Sequence, residues 1–102
     1  MKIKKKLAPI HPGTILQNQF MTPLGMSQNK LARGLHIPVP RINAIVKGNR
    51  AITPETALRL GRFFDTSPEF WLNLQQSYEL QKAEDLISKK ELLEIVPVKV
   101  AA

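Results

Sequence analysis

No cysteine occurs anywhere in this 102-residue chain. That excludes a disulfide framework and any thiolate metal site, and it fits a reducing cytoplasm. Aromatic residues are scarce, at one Trp, one Tyr and four Phe. Readers of single-stranded RNA stack bases on exposed rings, so this scarcity weakens an RNA-binding or nucleic-acid-packaging role. No apolar run approaches the roughly 18 residues of a membrane span. The lysine-rich start resembles the charged end of a signal peptide, but its apolar stretch stops at His11, too short for a signal core. Residues 1–10 therefore read as a solvated basic arm. There is no glycine-rich phosphate loop and no nucleophile–base motif, so no enzyme is expected. His11 and His36 are the only histidines and lie far apart; neither a metal nor another cofactor is expected. Glu84, Asp85, Glu91 and Glu94 read as solvated charge.

One sign of charge is missing from half the chain. Residues 1–54 contain nine Lys and Arg and no Asp or Glu. All eight acids lie from Glu55 onward, beside six bases. The formal net charge of +7 thus divides into +9 before Glu55 and −2 from it onward. Selection for solubility alone intersperses charges; segregation of this kind makes a face for a polyanion. The 43% apolar content suits one small domain with a single core.

What is present is a series of capped, periodic segments. A first helix is expected over about 13–22, with Pro12 at its start and Ile15, Leu16 and Phe20 as its apolar stripe. Pro23-Leu24-Gly25 ends it. Ser27 caps a second helix, about 27–35, that buries Leu31, Ala32 and Leu35. His36 closes it in a left-handed conformation, which His tolerates better than most residues. A third helix, about 38–47, faces inward with Ile42, Ile45 and Val46. Thr53-Pro54-Glu55 and Ser67-Pro68-Glu69 each join a cap, a first-turn proline and an acid suited to the helix dipole. They open helices expected at about 53–64 and 67–86. Ala57, Leu60, Gly61 and Phe64 form the stripe of the fourth; Trp71, Leu74, Tyr78 and Leu80 or Gln81 form that of the fifth. Residues 87–102 form a tail, and Glu94 to Val100 is β-branched enough for a short edge strand.

Residues 27–50 have the form of a helix-turn-helix. Gln28, just after the cap, suits a phosphate contact. The third helix leaves Val39, Pro40, Arg41, Asn43, Ala44 and Lys47 outward. Arg41 offers a bidentate fork for guanine and Asn43 an amide for adenine. Val39, Ala44 or Pro40 would meet a thymine methyl. Lys47, Asn49 and Arg50, at and past the helix end, suit phosphates.

The chain resembles the HigA family of antitoxins (VapI-like), within the lambda-repressor-like helix-turn-helix proteins. The likeness rests on His11-Pro12-Gly13-Thr14-Ile15-Leu16, Pro23-Leu24-Gly25-Met26-Ser27-Gln28, Arg41-Ile42-Asn43 and Lys47-Gly48-Asn49-Arg50. It continues in Thr53-Pro54-Glu55-Thr56-Ala57-Leu58-Arg59-Leu60 and in Thr66-Ser67-Pro68-Glu69-Phe70-Trp71-Leu72-Asn73-Leu74-Gln75. The resemblance implies an all-α, five-helix DNA-binding domain over 11–86 and a homodimer on palindromic double-stranded DNA. It further implies a HigB-like, mRNA-cleaving toxin as partner and repression of their shared operon. Gly34 and His36 exchange the family's small-then-glycine order, which by propensity loosens the second helix by about 1 kcal/mol. A stand-alone regulator without a toxin is the alternative reading. The dimer interface is expected in the apolar tail, through some of Leu86, Ile87, Leu92, Leu93, Ile95, Val96, Val98 and Val100. The toxin would take that region or the N-terminal arm.

Overall fold

The structure is a computed structural model and describes residues 8–100. Its helices are α1 (Pro12–Ile15), a π-helical continuation (Leu16–Met21), α2 (Gln28–Leu35), α3 (Val39–Val46), α4 (Pro54–Phe64), α5 (Pro68–Leu86) and α6 (Lys89–Leu93). The expected five-helix core is present, and the chain is all-helical among the described residues.

Two elements differ from expectation. The first helix begins at Pro12 and then widens, the Thr22 amide donating to the Gln17 carbonyl five residues back at 2.9 Å. Widening brings Leu16 and Met21, five apart, into the core together, while Ile15 and Phe20 stay half-buried. The tail forms no strand among the described residues. Ser88 and Glu91 make a reciprocal capping box and open α6 instead. The basic arm up to Leu7 lies outside the described residues.

Helices α4 and α5 pack together; α1 packs on α3 and α5, and α2 on α3 and α4. The core joins Leu16, Met21, Leu31, Leu35, Ile42, Ile45, Ile52, Ala57, Leu60 and Trp71. Trp71 is completely buried, with Phe20, Phe64 and Phe70 around it at ring separations of 4.8, 6.3 and 5.0 Å. Its indole N–H donates to Thr66 Oγ1 at 2.8 Å. Gln75, also buried, accepts the Ile52 amide at 2.9 Å. The Thr66-to-Gln75 block thus supplies a cap at Ser67, a core ring, and partners for polar groups that would otherwise be buried unsatisfied. On α5 the exposed Leu80 is not part of the stripe; Leu74, Tyr78 and Gln81 are half-buried.

Candidate nucleic-acid interface

The second helix starts with the Ser27 hydroxyl accepting the Lys30 amide at 3.1 Å. It ends at His36, whose φ of 59° and ψ of 43° are left-handed. The Ile37 amide then returns to the Ala32 carbonyl at 3.0 Å, closing the turn. Pro38 and Pro40 stand at the start of α3, where a missing amide costs least. Ile42 and Ile45 are wholly buried and fix which face of α3 turns outward.

That outward face carries Val39, Pro40 and Lys47 exposed, with Arg41, Asn43 and Ala44 half-covered. Asn49 and Arg50 follow on an exposed loop, after a left-handed Gly48. Gln28 sits at the near end of α2, and Asn43 Nδ2 donates to Gln28 Oε1 at 3.2 Å. The pair leaves the Gln28 amide N–H and the Asn43 carbonyl without hydrogen bonds among the described residues, one donor and one acceptor side by side. Lys30 and Arg33 on α2 are exposed as well, two further cations outside the expected set.

Arg41 is engaged within the protein. Its guanidinium does not stand free for a guanine edge: Nη2 donates to Glu55 Oε1 at 2.6 Å and to Thr56 Oγ1 at 2.7 Å. The second Glu55 oxygen accepts from Arg59 Nη2 at 3.2 Å, and Arg59 Nη1 donates to the Leu35 carbonyl at 2.8 Å. Hydrogen bonds from Arg41 and Arg59, more than their charges alone, hold the Glu55 carboxyl below its ordinary pKa. Its place as the first acid after a long acid-free stretch was a signal, and so was its i,i+4 spacing from Arg59.

His11 serves at the start of the first helix, against the loop after α3. It caps α1, Nδ1 accepting the Gly13 amide at 2.9 Å, in a role usually filled by Ser, Thr, Asp or Asn. The ring meets Tyr78 edge-on at 4.8 Å and lies beside Gly48, tying α1 and α5 to the loop that bears Asn49 and Arg50. Burial first, then the Lys82 charge, lowers its pKa below 6.5, against the polar Arg50 backbone and the Glu79 charge. The unfolded chain therefore takes up this proton more readily than the folded one. The His11 contribution is complete above pH 6.5 and declines as pH falls through that value toward the folded pKa. Urea midpoints should drop between pH 7.5 and 5.5, and His11→Gln should flatten that drop; equal slopes for both proteins would refute the assignment.

Gly34 has a structural reason. A Cβ there would overlap the Phe63 ring, which lies across the end of α2. The residue read as a weakness by propensity is thus the seat of an aromatic contact.

The helix-turn-helix family model matches residues 19–71. Virulence-associated protein I of Dichelobacter nodosus is 42% identical over 95 residues, 93% of this chain and 86% of that protein. The chain belongs to the helix-turn-helix family, in its HigA and VapI branch. Among solved structures, a HigA-family addiction-module antidote protein from Coxiella burnetii superposes with a TM-score of 0.84 at 48% identity, covering 90% of this chain and all of that one. The Pseudomonas aeruginosa antitoxin HigA, solved with the higBA promoter, superposes with a TM-score of 0.84 at 44% identity, covering 89% of this chain and 99% of that one. Among the described residues, no helix is long and apolar enough to cross a membrane.

Proposed function

We propose that this chain is the antitoxin and autorepressor of a toxin–antitoxin pair, a binding protein that acts as a homodimer on a palindromic operator. The observation that carries the reading is the outward face of α3. It offers apolar tips at Val39 and Pro40, an amide pair at Gln28 and Asn43, and cations at Lys47 and Arg50, on a frame shared with an antitoxin solved on promoter DNA. The toxin partner follows from the same kinship: a HigB-like protein encoded beside this chain.

One α3 reads too few base pairs for useful specificity, and a two-fold pair doubles the contacts. The surface that suits a second copy is the end of α5 with α6 and the residues after it. Leu86, Leu93, Ile95, Val96, Val98 and Val100 are all exposed there, and α6 has no buried residue. A helix this short does not persist without cover. Glu79, Glu84, Asp85, Glu91 and Glu94 lie among Lys82, Lys89 and Lys90, a mixture of signs suited to its own copy rather than to nucleic acid.

Titration of a duplex from the promoter upstream of its own gene tests the reading. Lys47→Ala should weaken binding to every sequence alike and lower the salt slope by about 1. Deletion of residues 87–102 should yield a folded monomer with much weaker binding. Wild-type affinity and salt slope in Lys47→Ala would remove α3 from the interface, and a truncated chain that still sediments as a dimer would move the pairing surface elsewhere.

A further inference from the structure

We propose that Arg41, Glu55 and Arg59 form a brace that sets the pose of α3, and that Arg41 is a positioning residue and not a reader of bases. The inference rests on α3 being the DNA-reading helix.

One carboxylate joins three helices. Through Oε1 it holds Arg41 of α3; through Oε2 it holds Arg59, which reaches the carbonyl of Leu35, the last residue of α2. Glu55 itself lies in the first turn of α4. The two helices of the helix-turn-helix are therefore cross-linked through a third, in addition to their own apolar contact. Thr56 completes the seat of Arg41: its hydroxyl is buried and also contacts Thr53 Oγ1 at 3.2 Å, the group that caps α4.

Arg41 is poorly placed to leave. Its side chain is only 19% exposed. Turning toward a base would break a charge-assisted bond, strip a buried hydroxyl of its donor, and leave Glu55 less neutralised beside incoming phosphates. The location of the acid matters too. A carboxylate next to a phosphate-binding face opposes binding, and no residue before Glu55 is acidic. Its presence at this boundary is accounted for by what it holds.

The sign of one substitution separates the alternatives. If Glu55 only masks Arg41, then Glu55→Ala removes a repulsive charge and frees a cation, and affinity rises. If Glu55 positions α3 through Arg41, affinity falls although the protein becomes more positive. Anisotropy titrations of the full-length chain on the promoter duplex, and on its single-base-pair variants, supply the reading. Glu55→Ala and Glu55→Gln should each weaken binding about tenfold, by a common factor across the variants, with the salt slope unchanged. Arg41→Ala should do the same, Arg41→Lys should recover part of the loss, and the double variant Arg41→Ala/Glu55→Ala should bind no worse than either single one. Circular dichroism of Glu55→Gln, which keeps the size of the side chain, establishes that affinity is read on folded protein. Tighter binding by Glu55→Ala, or an Arg41→Ala loss confined to one base pair, overturns the brace while leaving α3 as reader. If Lys47→Ala also binds as wild type, the DNA reading of α3 fails and the brace's role in binding fails with it.

Discussion

Trp71→Ala should cost about 3–5 kcal/mol, a large part of the stability of a domain this size. The indole is fully buried where the π-helical Leu16–Met21 segment, α4 and α5 meet, and three phenylalanines rest on or near it. Truncation leaves a cavity whose walls belong to three separate helices, so none can close it without disturbing the others. It also leaves the Thr66 hydroxyl without its 2.8 Å donor. Trp71→Phe keeps most of the volume and loses chiefly that hydrogen bond, so its cost should be nearer about 1–2 kcal/mol. Urea unfolding of both variants measures the pair. An alanine variant within about 1 kcal/mol of wild type would mean that the aromatic cluster is not the keystone of the packing.

The second large effect is expected at Gly13. In isolation an alanine there should help, since Ala favours a helix over Gly by about 1 kcal/mol. The structure reverses the sign. A Cβ at Gly13 would fall on the Ile45 carbonyl and against the Val46 Cα, backbone atoms of α3 that cannot turn aside as a side chain can. Gly13→Ala should therefore destabilise by about 3 kcal/mol. Because the displaced backbone belongs to α3, operator affinity should fall further than the loss of folded protein explains. Gly34→Ala is the internal comparison. Its Cβ meets only the ring of Phe63, which is 37% exposed and able to swing outward, so a far smaller change is expected. Similar melting temperatures for the two variants would contradict this account.

The helix starts were legible because they are local. Ser27, Thr53 and Ser67 each accept an amide three residues on, as their place before an apolar stripe suggests. The left-handed His36 was legible for the same reason. The outward face of α3 followed from periodicity alone, once Ile42 and Ile45 were recognised as inward. What escaped depends on contacts distant in sequence. The engagement of Arg41 becomes visible only when α4 is laid beside α3, fourteen residues apart at their linked side chains. The widened turn in Leu16–Met21 arises from packing on the core, for which its residues carry no local mark. The α6 helix is a different case. Ser88 and Glu91 have the spacing of a capping box, a local signal for a helix that stands beside a β-branched run with the opposite propensity.

The prolines at the helix starts bear on the chain before it folds. Pro12, Pro54 and Pro68 each follow the capping residue of their helix, and the caps His11, Thr53 and Ser67 are extended, with ψ of 142°, 166° and 148°. A residue that precedes proline already avoids the helical region and favours that extended geometry. In the denatured ensemble these three junctions are therefore partly set, with fewer conformations left to surrender on folding. Each such restriction is worth about 0.4–1 kcal/mol, and none of it corresponds to a contact in the native molecule. A share of what keeps this protein folded thus lies in the poverty of its unfolded state.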